Sequence, residues 1–269
     1  MVALAARRHK ALFEKPLATY MVSDPAVVTP DTPIEEIAAL LDARRISGVP
    51  VVDAAHHLLG VVTRTDLIAL GALQSGRRGA SPAMPLPHRA ARDVMTAHPE
   101  TVPASATLRH AARVMATHAI HRVFVLDQSV LVGVIGASDV ATAVHDAKIS
   151  LELSTIMTSP VVTVAPRAPL GSAVDLLDRL RVSALVVVDD DRPVGLFTQT
   201  EALAARDLPR STPIEALYER ELVCLPASTP LWIAAGHVAR LDVRRVVVCK
   251  RTEAIGLVTA LDFARWMAW

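Results

Sequence analysis

Four seven-residue segments of this chain begin with glycine and end with an acid: GVVTRTD at 60–66, GVIGASD at 133–139, GLFTQTE at 195–201 and GLVTALD at 256–262. Their glycines lie 73, 62 and 61 residues apart. One such segment would say little. Four in phase mean that a structural unit is repeated along the whole chain.

The surroundings repeat as well. Apolar runs at 49–52, 123–126, 185–188 and 246–248 precede the glycines. They are short, β-branched and nearly continuous, as in strands covered on both faces. Polar turns beginning at Asp53, Asp127, Asp189 and Lys250 follow, and the glycine-led segment returns as the second strand of a hairpin. Upstream lie Ile34, Ile37, Ala38 and Leu41; Leu108, Ala111, Ala112 and Met115; Leu170, Ala173, Val174 and Leu177; Leu231, Ala234, Ala235 and Val238. Each set has i, i+3, i+4, i+7 spacing, one apolar stripe of a helix. Thr32 and Glu35 stand in capping-box spacing with Pro33 between them at the first helical position. Arg44 and Arg45 fall at the negative end of that helix.

Short extended segments at 26–29, 100–102, 161–164 and 222–225 precede the helices, and a second helix begins at each acid. The unit is therefore β-α-β-β-α, and the fold class is α/β. One sheet face of such a unit is left uncovered, so copies are expected in pairs. The expected repeats span 17–71, 90–146, 153–205 and 212–268, the first pairing with the second and the third with the fourth into two pseudo-two-fold modules. A stretch rich in Gly, Ser and Pro at about 71–91 reads as a loop and accounts for the longer first spacing.

Composition narrows the function classes. Net charge is +1, which argues against a dedicated nucleic-acid binder. The two cysteines cannot build a disulfide framework and fit a reducing cytoplasm as buried free thiols. No apolar run reaches the roughly 18–20 residues of a membrane span, and the first fifteen residues lack the apolar centre of a secretory signal. The ten histidines, His110, His118 and His121 among them, lack metal-ligand spacing, so no metal is expected. No phosphate loop, nucleophile elbow or Cys-x-x-Cys is present. The repeats use up the chain and leave no room for a catalytic domain. The expectation is a binding protein and not an enzyme.

With these residues in hand, the sequence resembles the cystathionine-β-synthase (CBS) domain family. The likeness rests on the opening methionines Met21, Met95 and Met157, the SGVPVVD run at 47–53, the VSALVVVD run at 182–189, and the repeated Gly-x-x-Thr-x-x-Asp frame. The fourth copy departs from it with Ala216 and Leu217 where the others have Met followed by Val or Thr. The four-copy layout is similar to the γ subunit of AMP-activated protein kinase and to stand-alone prokaryotic relatives. The resemblance implies a cleft between paired copies that holds an adenosine compound: AMP, ADP or ATP, or alternatively S-adenosylmethionine or NAD. It also implies a regulatory role exerted through a protein partner not yet identified, with homodimers expected. The alternative is an interaction scaffold whose clefts have partly degenerated.

The same resemblance implies the site residues. Asp66, Asp139, Asp262 and, one methylene longer, Glu201 correspond to the family's ribose-binding acid. A carboxylate accepts from both hydroxyls of a cis-diol, although an acid in a first helical turn is also favoured by the helix dipole. The hydroxyls of Thr63, Thr65, Ser138, Thr198 and Thr259 would touch phosphate or ribose, or cap the helix. Gly136 lacks that hydroxyl in the second copy. Just before each central strand, His121, Arg122, Arg244, Arg245 and Ser183 would meet phosphate, arginine by its planar fork of donors. Arg64 is a further candidate charge. Val27, Val28, Val102 and Val162 would wall or hydrogen-bond the adenine.

Overall fold

The computed structural model describes residues 11–44, 46–67, 88–180, 182, 184–205, 208–241 and 243–269. The first copy holds β1 (Val22–Ser23), α1 (Ile34–Ala43), β2 (Gly48–Val52) and β3 (Leu58–Thr63), and residues 64–67 begin its second helix. The second holds β4 (Thr96–Ala97), β5 (Thr101–Pro103), α2 (Leu108–His118), β6 (Arg122–Asp127), β7 (Val130–Gly136) and α3 (Ala137–Asp146). The third holds β8 (Thr163–Val164), α4 (Leu170–Arg179), β9 (Ala184–Asp189), β10 (Arg192–Thr198) and α5 (Gln199–Ala204). The fourth holds β11 (Val223–Pro226), α6 (Leu231–Arg240), β12 (Arg245–Lys250), β13 (Glu253–Thr259) and α7 (Ala260–Ala268).

The helical stripes read from sequence are the buried faces. Ile34, Ile37 and Leu41 of α1 pack with Val49, Val51 and Val62 in one core. Leu170, Ala173 and Leu177 of α4 pack with Leu185, Val187 and Phe197 in another. The opposite faces of the same strands are also covered. Val52 and Val61 of the first copy meet Phe124 and Leu131 of the second, and Val186 and Leu196 of the third meet Val247 and Cys249 of the fourth. That double burial is why the strands read as continuous apolar runs.

The helix starts differ from expectation in one respect. Pro33 is the N-cap of α1, with ψ 142° and no side-chain cap. This puts Thr32 and Glu35 out of capping-box phase, and Thr32 Oγ1 accepts the Thr29 N–H at 3.1 Å instead. The first N–H of each helix is met from the other copy of its pair. Ile34 donates to Arg89 O at 3.0 Å, Leu108 to Lys15 O at 2.8 Å, Leu170 to Thr212 O at 2.8 Å and Leu231 to Leu151 O at 2.7 Å. The segment leading into one copy thus satisfies donors that a helix cannot satisfy internally.

Each copy also sends a short strand to its partner's sheet. The strand orders are β2-β3-β4 and β5-β6-β7-β1, so β4 lies on the first copy's sheet and β1 on the second's. Val22 pairs with Val134 and Ser23 with Gly133, while Gly60 pairs with Ala97 and Val61 with Thr96. In the third and fourth copies the exchange narrows to Thr158 against Leu257 and Glu219 against Leu196. Each of these two bridges is closed by a pair of backbone hydrogen bonds of 2.9–3.0 Å.

The exchange explains the repeated glycine. A Cβ at Gly60 would lie 2.6 Å from Met95 Sδ, at Gly133 2.8 Å from Met21 Sδ, and at Gly256 2.7 Å from Met157 Sδ. At Gly195 it would lie 2.3 Å from both the Tyr218 ring and the Glu219 carbonyl oxygen. Glycine is required because the incoming segment crosses directly over it, and none of these glycines has positive φ. The fourth copy's counterpart of methionine is therefore Tyr218 and not Ala216 or Leu217. Those two residues belong to the preceding 3-10 turn and its cap.

Contacts divide the chain into two compact units, residues 15–136 in one and residues 11–14 with 137–269 in the other. The second helix of the second copy, α3, thus belongs with the third and fourth copies. Its Val140, Ala141 and Val144 are fully buried, and α3 packs on α6 and α7. His145 Nδ1 lies 2.8 Å from Trp232 O at that contact.

Gly195→Ala forces backbone apart, and overpacking of this kind costs about 1–3 kcal/mol. Gly171→Ala in α4 meets the Arg210 side chain and no other backbone while gaining helix propensity, so its cost is expected to be smaller than that of Gly195→Ala. Urea unfolding of the two variants measures the difference.

Candidate functional site

The acids begin their helices, and their first chemical role there is capping. Asp66 Oδ2 accepts the Thr63 N–H at 2.8 Å and the Thr63 hydroxyl at 2.7 Å. Asp262 Oδ2 does the same for Thr259 at 2.7 and 2.8 Å, and Glu201 Oε2 for Thr198. The extra methylene of Glu201 is accommodated without losing the motif. Capping and ligand binding are compatible where the second oxygen stays open. Asp66 is half-buried, and its Oδ1 makes no hydrogen bond among the described residues. Asp262 differs: it is 5% exposed and Arg265 donates to its Oδ1 at 3.0 Å. The expectation of an open ribose acceptor does not fit Asp262, because an arginine one helical turn on already occupies it. Asp139 lies in the first turn of α3, half-buried, next to the exposed Ser138.

The positions before the central strands meet across the first pair. Arg122 donates to Gly48 O at 3.3 Å and to Ser47 Oγ. Gly48 in turn pairs with Thr63, and a Cβ there would be 3.0 Å from Arg122 Nη1 and 3.1 Å from Thr63 Cγ2. Thr63, Asp66, Ser47 and Gly48 from one copy and Arg122 from the other therefore form one cluster. In the second unit the corresponding charges influence one another. Arg245 is half-buried, which pulls its guanidinium pKa down, while the carboxylates of Glu201 and Glu219 pull it up and Arg244 pulls it down again. In the second unit the fourth copy's arginine thus feels the third copy's acid. His121 and Arg244 are exposed. Ser183 lies outside the described residues.

Arg64 is not a cleft charge. Its Nη2 donates to Leu41 O at 2.9 Å, its Nε to Ile46 O at 3.2 Å, and its Nη1 lies 2.6 Å from Asp42 Oδ1. It closes the C-terminal end of α1, the role sequence gave to Arg44 and Arg45. Of those two, Arg44 is the C-cap residue, and Arg45 is outside the described residues.

The adenine wall also needs correction. Val28 is 7% exposed within the first copy's own core, and both its backbone groups are used, by Pro50 O and Val52 N. Val102 is 1% exposed, and Val162 packs on the third copy's own core. Strand alternation turns their neighbours the other way. Val27 packs between the first and second sheets, and Val161 and Leu222 between the third and fourth. Of the four predicted valines, Val27 alone lies on the face between copies. Val161 and Leu222 were missed because the alternation is invisible in an unbroken apolar run.

Thr65 is exposed, Thr198 is buried, and Thr259 is half-buried. Of the cysteines, Cys249 is buried and Cys224 exposed. Although Cys224 is exposed as a residue, desolvation at its sulfur and the neighbouring Cys249 thiol push its pKa up. A separate groove of about 500 Å3 lies between α4 and α5, lined by Leu170, Val174, Leu177 and Ala202 with Arg210 at one side. None of the candidate ligand residues lines it.

Paired β-α-β-β-α copies, with capped acids at the helix starts and exchanged strands, define a tandem α/β repeat protein whose copies work two at a time. The CBS domain profile matches residues 17–72, 91–146 and 153–207, and the chain belongs to the CBS domain family. The CBS domain-containing protein YhcV of Bacillus subtilis is 31% identical over 121 residues, 45% of this chain and 79% of that protein. An uncharacterized 33.4 kDa protein in a ribosomal RNA operon of Thermofilum pendens is 26% identical over 220 residues, 77% of this chain and 69% of that one. A solved structure from Methanocaldococcus jannaschii, proposed as an archaeal homolog of g-AMPK, superposes with a TM-score of 0.74 at 18% identity, covering 94% of this chain and 100% of that one. The fourth repeat, outside the three matched ranges, has the same element order. Among the described residues no helix is long and apolar enough to cross a membrane.

Arg64→Met removes the donors that close α1. Stability is expected to fall by about 1–2 kcal/mol, mostly from the two carbonyls left unpaired, because the exposed ion pair adds little. Ligand affinity is expected to stay unchanged. Chemical unfolding with and without nucleotide measures both.

Proposed function

We propose that this chain is a regulatory protein that binds an adenosine compound of the AMP, ADP or ATP type between paired copies and passes its ligand state to a protein partner. The observation that carries the reading is the cluster of Thr63, Asp66, Ser47 and Gly48 with Arg122. It joins an open carboxylate oxygen to a guanidinium from the other copy. A ribose cis-diol offers two donors to the first, and a phosphate accepts from the second. Arg122 would exchange its Ser47 and Gly48 partners for phosphate oxygens. Val27 would supply the apolar wall. The protein acts by differential affinity between two arrangements of its copies, and no turnover is required. The homodimer and the partner follow from the same reading.

A second reading is favoured in residues 137–269. There Asp262 is closed by Arg265, and Glu201 is held by Thr198 and faces Arg245. These groups neutralise one another, as in a unit that serves for interaction and not for ligand capture. The two readings predict different stoichiometries. One nucleotide per chain assigns binding to residues 15–136 alone, and two per chain assign it to both units.

The test is a thermal-shift panel of stripped protein against AMP, ADP, ATP, S-adenosylmethionine and NAD. A ligand at 100 times its Kd stabilises the native state by about 2.7 kcal/mol. Asp66→Asn is expected to weaken that ligand more than about tenfold, equivalent to about 1.4 kcal/mol, while Asp262→Asn leaves affinity within a factor of about two. No shift with any compound would reject the nucleotide reading. An Asp66→Asn protein that binds normally would reject the site.

A further inference from the structure

The three methionines that cross the repeated glycines are more than spacers. Met21, Met95 and Met157 are half-buried, whereas Met115 and Met267 are fully buried in helical cores. Each crossing sulfur occupies the space a Cβ would fill, within 2.6–2.8 Å of that point. The segments they introduce are held lightly, by two residue pairs for β1, two for β4, and one bridge at Thr158. Val22, just after Met21, is 53% exposed. The sulfurs therefore stand at a sheet edge, next to the least anchored backbone of each pair.

Oxidation would add a polar oxygen to a sulfur that packs directly over the glycine face. The nearest backbone atom to a Cβ at Gly60 is the Thr96 carbonyl oxygen at 2.9 Å, and at Gly133 the Val22 carbonyl oxygen at 3.1 Å. A sulfoxide oxygen is an acceptor and gains no hydrogen bond from carbonyls such as these. Sulfoxidation converts a flexible apolar side chain into a polar one, and packing built on the thioether is lost.

We propose that Met21, Met95 and Met157 form oxidation-sensitive clasps: sulfoxidation by a hydroperoxide releases the exchanged strands and loosens each pair of copies. The sulfur lone pair attacks one peroxide oxygen and the S–O bond forms as the O–O bond breaks. The departing oxygen takes a proton and leaves as water or an alcohol. Sulfur loses two electrons and the peroxide gains them. A thiol-dependent methionine sulfoxide reductase would reset the clasp. The fourth crossing is exempt, because Tyr218 occupies Gly195 in place of a thioether.

That exemption supplies an internal control. The Thr158 and Leu257 amides bond across a methionine clasp, and the Glu219 and Leu196 amides across the tyrosine clasp of the same unit. The experiment treats full-length protein with hydrogen peroxide, maps added oxygen by peptide mass, and follows amide exchange. Met157 is expected to oxidise before Met115 and Met267. Exchange at Thr158 and Leu257 is expected to accelerate about tenfold or more, while Glu219 and Leu196 stay unchanged. Met157→Leu, close in volume, is expected to keep Thr158 protected after treatment. Three results would overturn the proposal: Met157 oxidising no faster than the buried methionines, its oxidation leaving Thr158 exchange unchanged, or all four amides accelerating together. The wild-type comparison is decisive even if the variant folds poorly.

Discussion

The structure depends on one close approach: a short segment from each copy passes over a glycine on its partner's outer strand. A strand edge presents unpaired N–H and C=O groups that must be covered. Here each copy covers its partner's edge and receives the same cover in return. The contact is possible only without a Cβ at Gly60, Gly133, Gly195 and Gly256. It brings with it the helix-start hydrogen bonds from Lys15, Arg89, Leu151 and Thr212, which reach the partner's first turn. The inner sheet faces are then held together by Val52, Val61, Phe124 and Leu131 in one pair and by Val186, Leu196, Val247 and Cys249 in the other.

This exchange also makes the candidate site. Bringing the sheets together sets the start of one copy's central strand against the other's, so Arg122 reaches Ser47 and Gly48 beside the Asp66 cap. The two copies of a pair repeat the same elements, yet not the same side chains. The second copy of each pair supplies an arginine, and the first supplies a small residue and an acid. The charges of a pair are therefore distributed unevenly between its two copies. The fourth copy's acid, Asp262, is instead held by Arg265.

Much of the fold was legible because it is written in periodicity. The apolar stripes gave the first residues of α1, α2, α4 and α6, and the polar turns gave the hairpins. The exchanged strands were not legible. β1 and β4 are two residues long, and in the third and fourth copies the exchange is a single bridge each way, too short to show alternation. The glycine was read as a strand start, because nothing local says what lies above it. At the site, the acids were found from their repeated spacing. Their Thr partners were found too, as caps. The wall residues were missed because runs buried on both faces hide which side points to the partner. Arg64 was misread because its three partners are 18 to 23 residues away in sequence.

The central claim is that the pair of copies, and not the single repeat, is the folding unit from which the site arises. Native-state hydrogen exchange on the full-length Gly133→Val protein tests it most directly. The substitution displaces Met21 and β1 from β7. The account predicts that protection falls together in β7 and in the first copy's β2 and β3, which lie far from the substitution in sequence. Protection lost from β5, β6 and β7 alone, with β2 and β3 as slow as in the unaltered protein, would contradict it.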